Sequence, residues 1–222
     1  MLESLPVFKK LKEDDINTLE ENLKILKFKK RKTIFNEGET PKEFHILIKG
    51  RVKISKISKN GKQIILEILD APNFFGTLAL LKNIPYPASA IAVDECLIGN
   101  IPYHIFLQVV NKYPELKSEI LYHITTRLKS IIETLKNMTL GDVLSRIVYQ
   151  ILKLANKYGK KVPEGILIDL RVTKQDIAEM AGTTTETAIR IISKLKKEGY
   201  IVEQNRKIII KDIERLLNLI NN

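Results

Sequence analysis

Leu121, Ile124, Leu128, Ile131, Leu135 and Met138 recur at spacings that alternate three and four, and no other pattern constrains the chain as much. A stripe repeating every 3.5 residues over about two and a half heptads marks a helix that lies along a second apolar surface. Position a holds Leu121, Leu128 and Leu135, and position d holds Ile124, Ile131 and Met138; one turn earlier Lys117 ends the stripe. From Glu115 to Met138 such a helix is about 35 Å long, at ~1.5 Å per residue. The stripe can face a second copy of the chain, or it can pack on the chain's own preceding domain. Leucine at a with isoleucine at d leans towards assemblies larger than a pair, so the pattern predicts self-association and leaves its number open.

On either side of this helix the periodicity differs. From about Lys30 to Ile101 the text reads as short strands: Phe44, Ile46 and Ile48 alternate with other residues, and the alternation resumes after Gly50 at Val52 and Ile54. Asn60-Gly61 suits both central positions of a type I′ turn before the apolar run IILEIL. Gly76, Pro85, Pro87 and Gly99 break up the next stretch, which predicts an antiparallel jelly-roll barrel with a small helix around Glu13 to Leu26. Beyond the stripe, the segment from Met138 to Asp142 reads as a hinge, and Asp142 can cap a helix to about Lys157. A short strand near Ile166 to Leu170, two helices joined at Gly182, a strand pair around Asn205-Arg206 and a helix from about Asp212 complete the chain. The expected class is α+β: an antiparallel jelly-roll barrel over residues 1–113, a long self-association helix over 114–138 and a smaller domain of helices and paired strands over 139–222.

Within VTKQDIAEMAGTTTETAIRIISKL, Thr173 can cap a helix that buries Ile177 and Ala178, and Gly182 supplies the sharp turn. The next helix buries Ala188, Ile191, Ile192 and Leu195. That is the helix-turn-helix pattern, in which the second helix lies in the major groove of DNA with its N-terminal residues at base edges. Glu186 and Arg190, four apart, project from one face; arginine can bond guanine O6 and N7 together, and glutamate can accept from cytosine N4. The same pair can also form an ordinary ion pair on a helix surface. Thr173, Gln175, Thr184 and Thr187 are short groups suited to phosphates, as are Arg206 and Lys207 at the tip of the strand pair.

Three stretches in fixed order, IFNEGETPKEFHILIKGRVKI, FFGTLALL with PYPASA, and VTKQDIAEMAGTTTETAIRIISKL, make nearly the whole chain resemble the Crp/Fnr family of bacterial transcription regulators. The resemblance implies a two-fold dimer paired through the long helix, palindromic double-stranded DNA as ligand, and RNA polymerase as partner. It gives Glu186 and Arg190 the reading of a TGA-like core in each half-site. Thr185 stands where cAMP-responsive members carry a further base-reading arginine. In those members a Gly-Glu pair and an Arg-Ser-Ala run hold the ribose and cyclic phosphate, and a Thr-Ser pair on the long helix meets the adenine. Here the matching places hold Gly76-Thr77, Ala88-Ser89-Ala90 and Ile131-Ile132. The phosphate cation and the ribose acceptor are both missing, and an unneutralised phosphate is costly to bury. DNA binding is therefore expected to proceed without cyclic nucleotide, the protein being either always competent or controlled by another effector in the barrel.

Composition narrows the alternatives. One cysteine in 222 residues, Cys96 in the apolar strand CLIGNI, excludes an internal disulfide and any cluster built on several thiolates of one chain. It reads as a buried core thiol. His45, His104 and His123 lie in separate segments, which argues against a metal-dependent jelly-roll enzyme; no metal, cofactor or catalytic residue is expected. The formal charge of +11 suits a polyanionic partner, and the run KFKKRK at Lys27 to Lys32 reads as a solvated strand edge. No apolar run approaches the roughly 18 residues of a membrane span, and the N-terminal text lacks a signal-peptide pattern, so a cytoplasmic protein is expected.

Overall fold

The computed structural model describes residues 2, 5–58 and 61–220, with the backbone alone at Pro6 and at 137–140. The chain forms two compact units, one of residues 1–58 and 65–131 and the other carried mainly by 132–222. In the first, helix α1 (Glu13–Glu21) is followed by strands β1 (Lys24–Phe28), β2 (Thr33–Phe35), β3 (Glu43–Lys49), β4 (Arg51–Ile57), β5 (Gln63–Asp70) and β6 (Asn73–Phe75). Helix α2 (Thr77–Lys82), β7 (Ser89–Ala92), β8 (Cys96–Pro102), α3 (Tyr103–Lys112) and α4 (Pro114–Leu140) complete the run. Two four-stranded sheets, β1-β8-β3-β6 and β2-β7-β4-β5, form the expected antiparallel barrel.

Both faces of β3 are buried, because the barrel is covered on one side. Leu47 points into the cluster between the sheets with Phe35, Val52, Leu69, Phe75 and Ile98. Phe44 and Ile46 point into a second cluster with Phe8, Phe74 and Phe106, where the Phe44 and Phe106 rings stack at 3.9 Å. Leu116 and Ile120 of α4 join that second cluster. Asp15 ties α1 to the end of α3 by accepting from Lys112 Nζ and Tyr113 Oη, each at 2.6 Å. These donors hold its carboxyl below the ordinary carboxylate range.

The fold departs from the sequence expectations at a few places. The first helix ends at Glu21, not near Leu26, and Leu26 lies in β1, paired with Ile98. Leu19, Leu23 and Leu26 have helix-like spacing, but the ladder to β8 wins the last of them. The first strand thus precedes Lys30. Lys27 lies on this sheet-edge strand, paired with Glu95 at 3.1 Å, in keeping with a solvated edge. Asn60 lies outside the described residues, while Gly61 has the positive φ of 77° expected of the turn. Cys96 is buried as expected; its Sγ donates to Arg51 O at 3.0 Å, and burial pushes the thiol up.

The second unit contains α5 (Val143–Tyr158), β9 (Gly159–Val162), β10 (Gly165–Ile168), α6 (Lys174–Ala181), α7 (Thr185–Lys197), β11 (Ile201–Gln204), β12 (Lys207–Ile210) and α8 (Ile213–Leu217). Its four-stranded sheet has the order β11-β12-β10-β9. Asp142 caps α5 as expected, accepting from Ser145 N at 2.7 Å. Strand β9 was not anticipated: GKKV has no apolar alternation and exists through its pairing with β10. Among the described residues no helix is long and apolar enough to cross a membrane.

Candidate nucleic-acid interface and effector cavity

The helix-turn-helix is fixed from both ends of its turn. Thr173 and Asp176 form a reciprocal capping box at the start of α6. At its end Gly182 takes φ 60°, a left-handed conformation that a Cβ disfavours. Arg146 Nε and Gln150 Nε2 of α5 donate to Ala181 O and Met180 O, each at 3.0 Å, and hold the last carbonyls in place. Ala178 and Ala188 are buried, so α6 and α7 approach closely. Ile192 and Leu195 anchor the inner face of α7; Ile191 is only half-buried, unlike its expected place in the core.

Glu186, Ile189, Arg190 and Ser193 are exposed at spacings of three and four, on one face of α7. Among the described residues no ion pair joins Glu186 to Arg190. The Glu186 carboxyl is held low by its own backbone N–H and by the Thr184 hydroxyl at the helix start, and this leaves the Arg190 guanidinium unclaimed. Ile189, 47% exposed, was not singled out from sequence. Its signal there is an apolar residue three after Glu186, off the stripe of Ala188, Ile192 and Leu195.

The hydroxyls divide by role. Thr184 Oγ1 caps α7 by accepting from Thr187 N at 3.2 Å, and the Thr184 and Thr187 hydroxyl oxygens share a hydrogen bond at 3.1 Å. Thr173 spends its proton on Asp176 Oδ2 at 2.7 Å, and Gln175 Nε2 donates to Glu179 at 2.9 Å. Thr185, the first residue of α7, is half-buried. At the wing tip Asn205 and Arg206 both take positive φ, 51° and 63°, as a type I′ hairpin requires. Arg206, Arg171 and Lys207 line one concavity there. Lys207 is bound to Asp169, which also takes Lys160 at 2.5 Å, and the two ammonium groups bring the Asp169 carboxyl to about 2.

The barrel holds a cavity of about 220 Å³, lined mainly by apolar groups. Gly76, Thr77, Ala88 and Ile131 line it; Ser89 and Ile132 do not. Ser89 Oγ accepts from Glu37 N at 2.9 Å, and Ile132 is exposed on α4. Gly76 takes φ 73°, and a Cβ there would meet the Tyr86 ring at 3.0 Å. Arg127 of α4, overlooked in the sequence, also lines the cavity. Its guanidinium donates to Asn73 Oδ1 and, at 2.6 Å, to Phe74 O, and lies 3.8 Å from Glu67. His45, behind the Tyr86 ring, is kept neutral by burial. Its Nδ1–H donates to Asn100 Oδ1 and its Nε2 accepts from Tyr86 Oη, each at 2.9 Å. Burial, with Glu43 and Glu39 nearby, pushes the Tyr86 phenol to about 12.

Along α4 the stripe divides. Leu121, Leu128 and Leu135 are 61, 53 and 59% exposed, while Ile124 packs on the barrel's helix-side cluster and Ile131 lines the cavity. The Met138 side chain lies outside the described residues.

A cyclic-nucleotide-binding-type barrel, a long helix and a winged helix-turn-helix, in that order, define a DNA-binding transcription regulator. Residues 25–113 match the cyclic nucleotide-binding domain and residues 145–219 the Crp-like helix-turn-helix domain. The chain is 30% identical over 193 residues to the global nitrogen regulator of Synechococcus elongatus, covering 85% of this chain and 86% of that one. It is 25% identical over 210 residues to the CRP-like cAMP-activated global transcriptional regulator of Mycobacterium tuberculosis, covering 95 and 94%. Among solved structures, a CooA mutant from Carboxydothermus hydrogenoformans shares the fold with a TM-score of 0.80 at 21% identity, over 97% of this chain and 94% of that one. The chain belongs to the Crp/Fnr family of transcription regulators.

Proposed function

We propose that the protein is a cytoplasmic homodimer that binds palindromic double-stranded DNA and regulates transcription with RNA polymerase, without requiring cyclic nucleotide. The observation that carries the DNA reading is the unpaired outer face of α7, where Glu186, Ile189 and Arg190 stand together on a helix locked by two caps. Arg190 bonds a guanine, Glu186 accepts from a cytosine, and Thr185 sits at the groove edge. The exposed Ile189 meets a thymine methyl, the apolar feature of the major groove. Thr187 and Arg206 hold phosphates directly. Thr173, Gln175, Thr184 and Lys207, whose side chains are engaged within the protein, contribute less to phosphate binding. The test is selection of bound sequences from a random duplex pool at fixed salt. A two-fold symmetric consensus supports the reading, and no enrichment refutes it.

Substitutions separate these roles. Arg190→Ala should cost ~1 to 3 kcal/mol and relax preference at one base position, whereas Thr187→Ala should weaken all sequences alike. An equal loss on every sequence for Arg190→Ala would remove its base-reading role. At the wing, Arg206→Ala should lower the salt slope by about 1. Lys207→Ala should lower it less, since Asp169 already holds that ammonium, and Asp169→Asn should tighten binding to any duplex. Equal slopes for the two alanine variants would contradict this division.

A further inference from the structure

Asp169 and Glu203 of the second unit each hold two lysines, but they join different parts of it. Asp169 takes Lys160 of β9 and Lys207 of β12, both within the sheet. Glu203 of β11 ties the wing to both helices of the helix-turn-helix. Lys174 Nζ, on the first residue of α6, and Lys196 Nζ, in the last turn of α7, both donate to its carboxylate, the second at 2.8 Å. Glu203 stands two residues after Ile201, which is fully buried, so the two side chains leave the same face of β11. An apolar residue would fill that place with no charge to desolvate. Burial works against the carboxylate there, yet the two ammonium groups hold it below its ordinary range, and it stays an ion with 22% of its side chain exposed.

We propose that Glu203 is a specificity-determining residue of the DNA interface: it docks the wing on α6 and α7 and keeps two ammonium groups from the phosphates of any sequence. The proposal rests on reading α7 and the wing as that interface. Lys174 stands between Thr173 and Gln175 at the start of α6, and Lys196 reaches the wing strand itself. Released, both can bond phosphates wherever the protein lands. Such contacts supply nonspecific affinity, each adding about 0.9 to the slope of log affinity against log salt on duplex DNA. With both lysines engaged, preference is left to Glu186, Ile189 and Arg190. Their contacts with base edges need α7 held in one register relative to the wing, since backbone contacts fix that register. Loss of the clamp thus strengthens binding to random sequence and loosens what the operator requires.

The full-length parent and its Glu203→Gln variant are titrated with the duplex selected from the random pool and with a scrambled duplex, over a series of salt concentrations. Glu203→Gln should steepen the salt slope on the scrambled duplex by about 1 to 2 and lower the ratio of operator to scrambled affinity roughly fivefold or more. Glu203→Met, whose apolar side chain packs on the inner face of β11, should do the same without loss of thermal stability. Adding Lys174→Met and Lys196→Met to Glu203→Gln should return the slope to the parent's value. An unchanged slope or ratio in Glu203→Gln overturns the proposal. So does equal weakening on both duplexes, which a merely structural role predicts, or a slope that stays steep in the triple variant. A parent without operator preference would remove the reading of α7 as the DNA interface, and the proposal with it; a normal parent preference that Glu203→Gln leaves intact overturns the proposal alone.

Discussion

Leu128→Glu is expected to convert the protein to monomers and to abolish operator binding at concentrations that saturate the parent. Leu121, Leu128 and Leu135 share one face of α4, and each leaves more than half of its surface to solvent. Burying a leucine is worth roughly 1.5 to 3 kcal/mol, so three from each chain can supply the driving force of a helix pair. A glutamate at the middle position must lose its water with no cation in the seam, and removes one of those leucines as well. Operator binding falls with dimerisation because two half-sites about one helical turn apart need both recognition helices on one particle. Light scattering on the parent should give twice the 25.4 kDa chain mass. Four times that mass would mean that the leucine-at-a preference had prevailed, and an unchanged dimer in the variant would refute the seam.

The division of that seam shows how far sequence alone reaches. Regular 3.5-residue spacing located α4, but spacing alone treats positions a and d alike. Only the folded barrel shows that Ile124 and Ile131 turn towards their own domain, while Leu121 and Leu135 remain outside and Leu128 lies at the cavity's edge with about half of its surface exposed. Arg127 escaped notice for a similar reason: a lone cation among apolar residues reads as solvent-facing until Asn73 and Phe74 are brought to it. By contrast the helix-turn-helix was legible almost residue by residue. Its determinants are local, Thr173 for the capping box, Gly182 for the left-handed turn, Ala178 and Ala188 for close packing. The wing turn was legible through Asn205 and Arg206. Strand β9 and the end of α1 were not, since pairing with distant strands decided both against weak local preference.

Operator binding without cyclic nucleotide is the central claim. Thr77, Ala88 and Ile131 line the cavity where a ribose acceptor and a phosphate cation would be required, and Arg127 is held by Asn73, Phe74 and Glu67. A ligand shifts a protein towards its DNA-competent state only by its differential affinity for that state, and a cavity with these gaps has little cyclic-nucleotide affinity to apportion. The direct test is to titrate operator duplex with the purified protein at one salt concentration, because salt alone moves such affinities by orders of magnitude. The titration is run without nucleotide and then with millimolar cAMP or cGMP. The affinity should stay within about a factor of two, less than ~0.5 kcal/mol of coupling; a tenfold tightening by either nucleotide, roughly 1.4 kcal/mol, would contradict the claim.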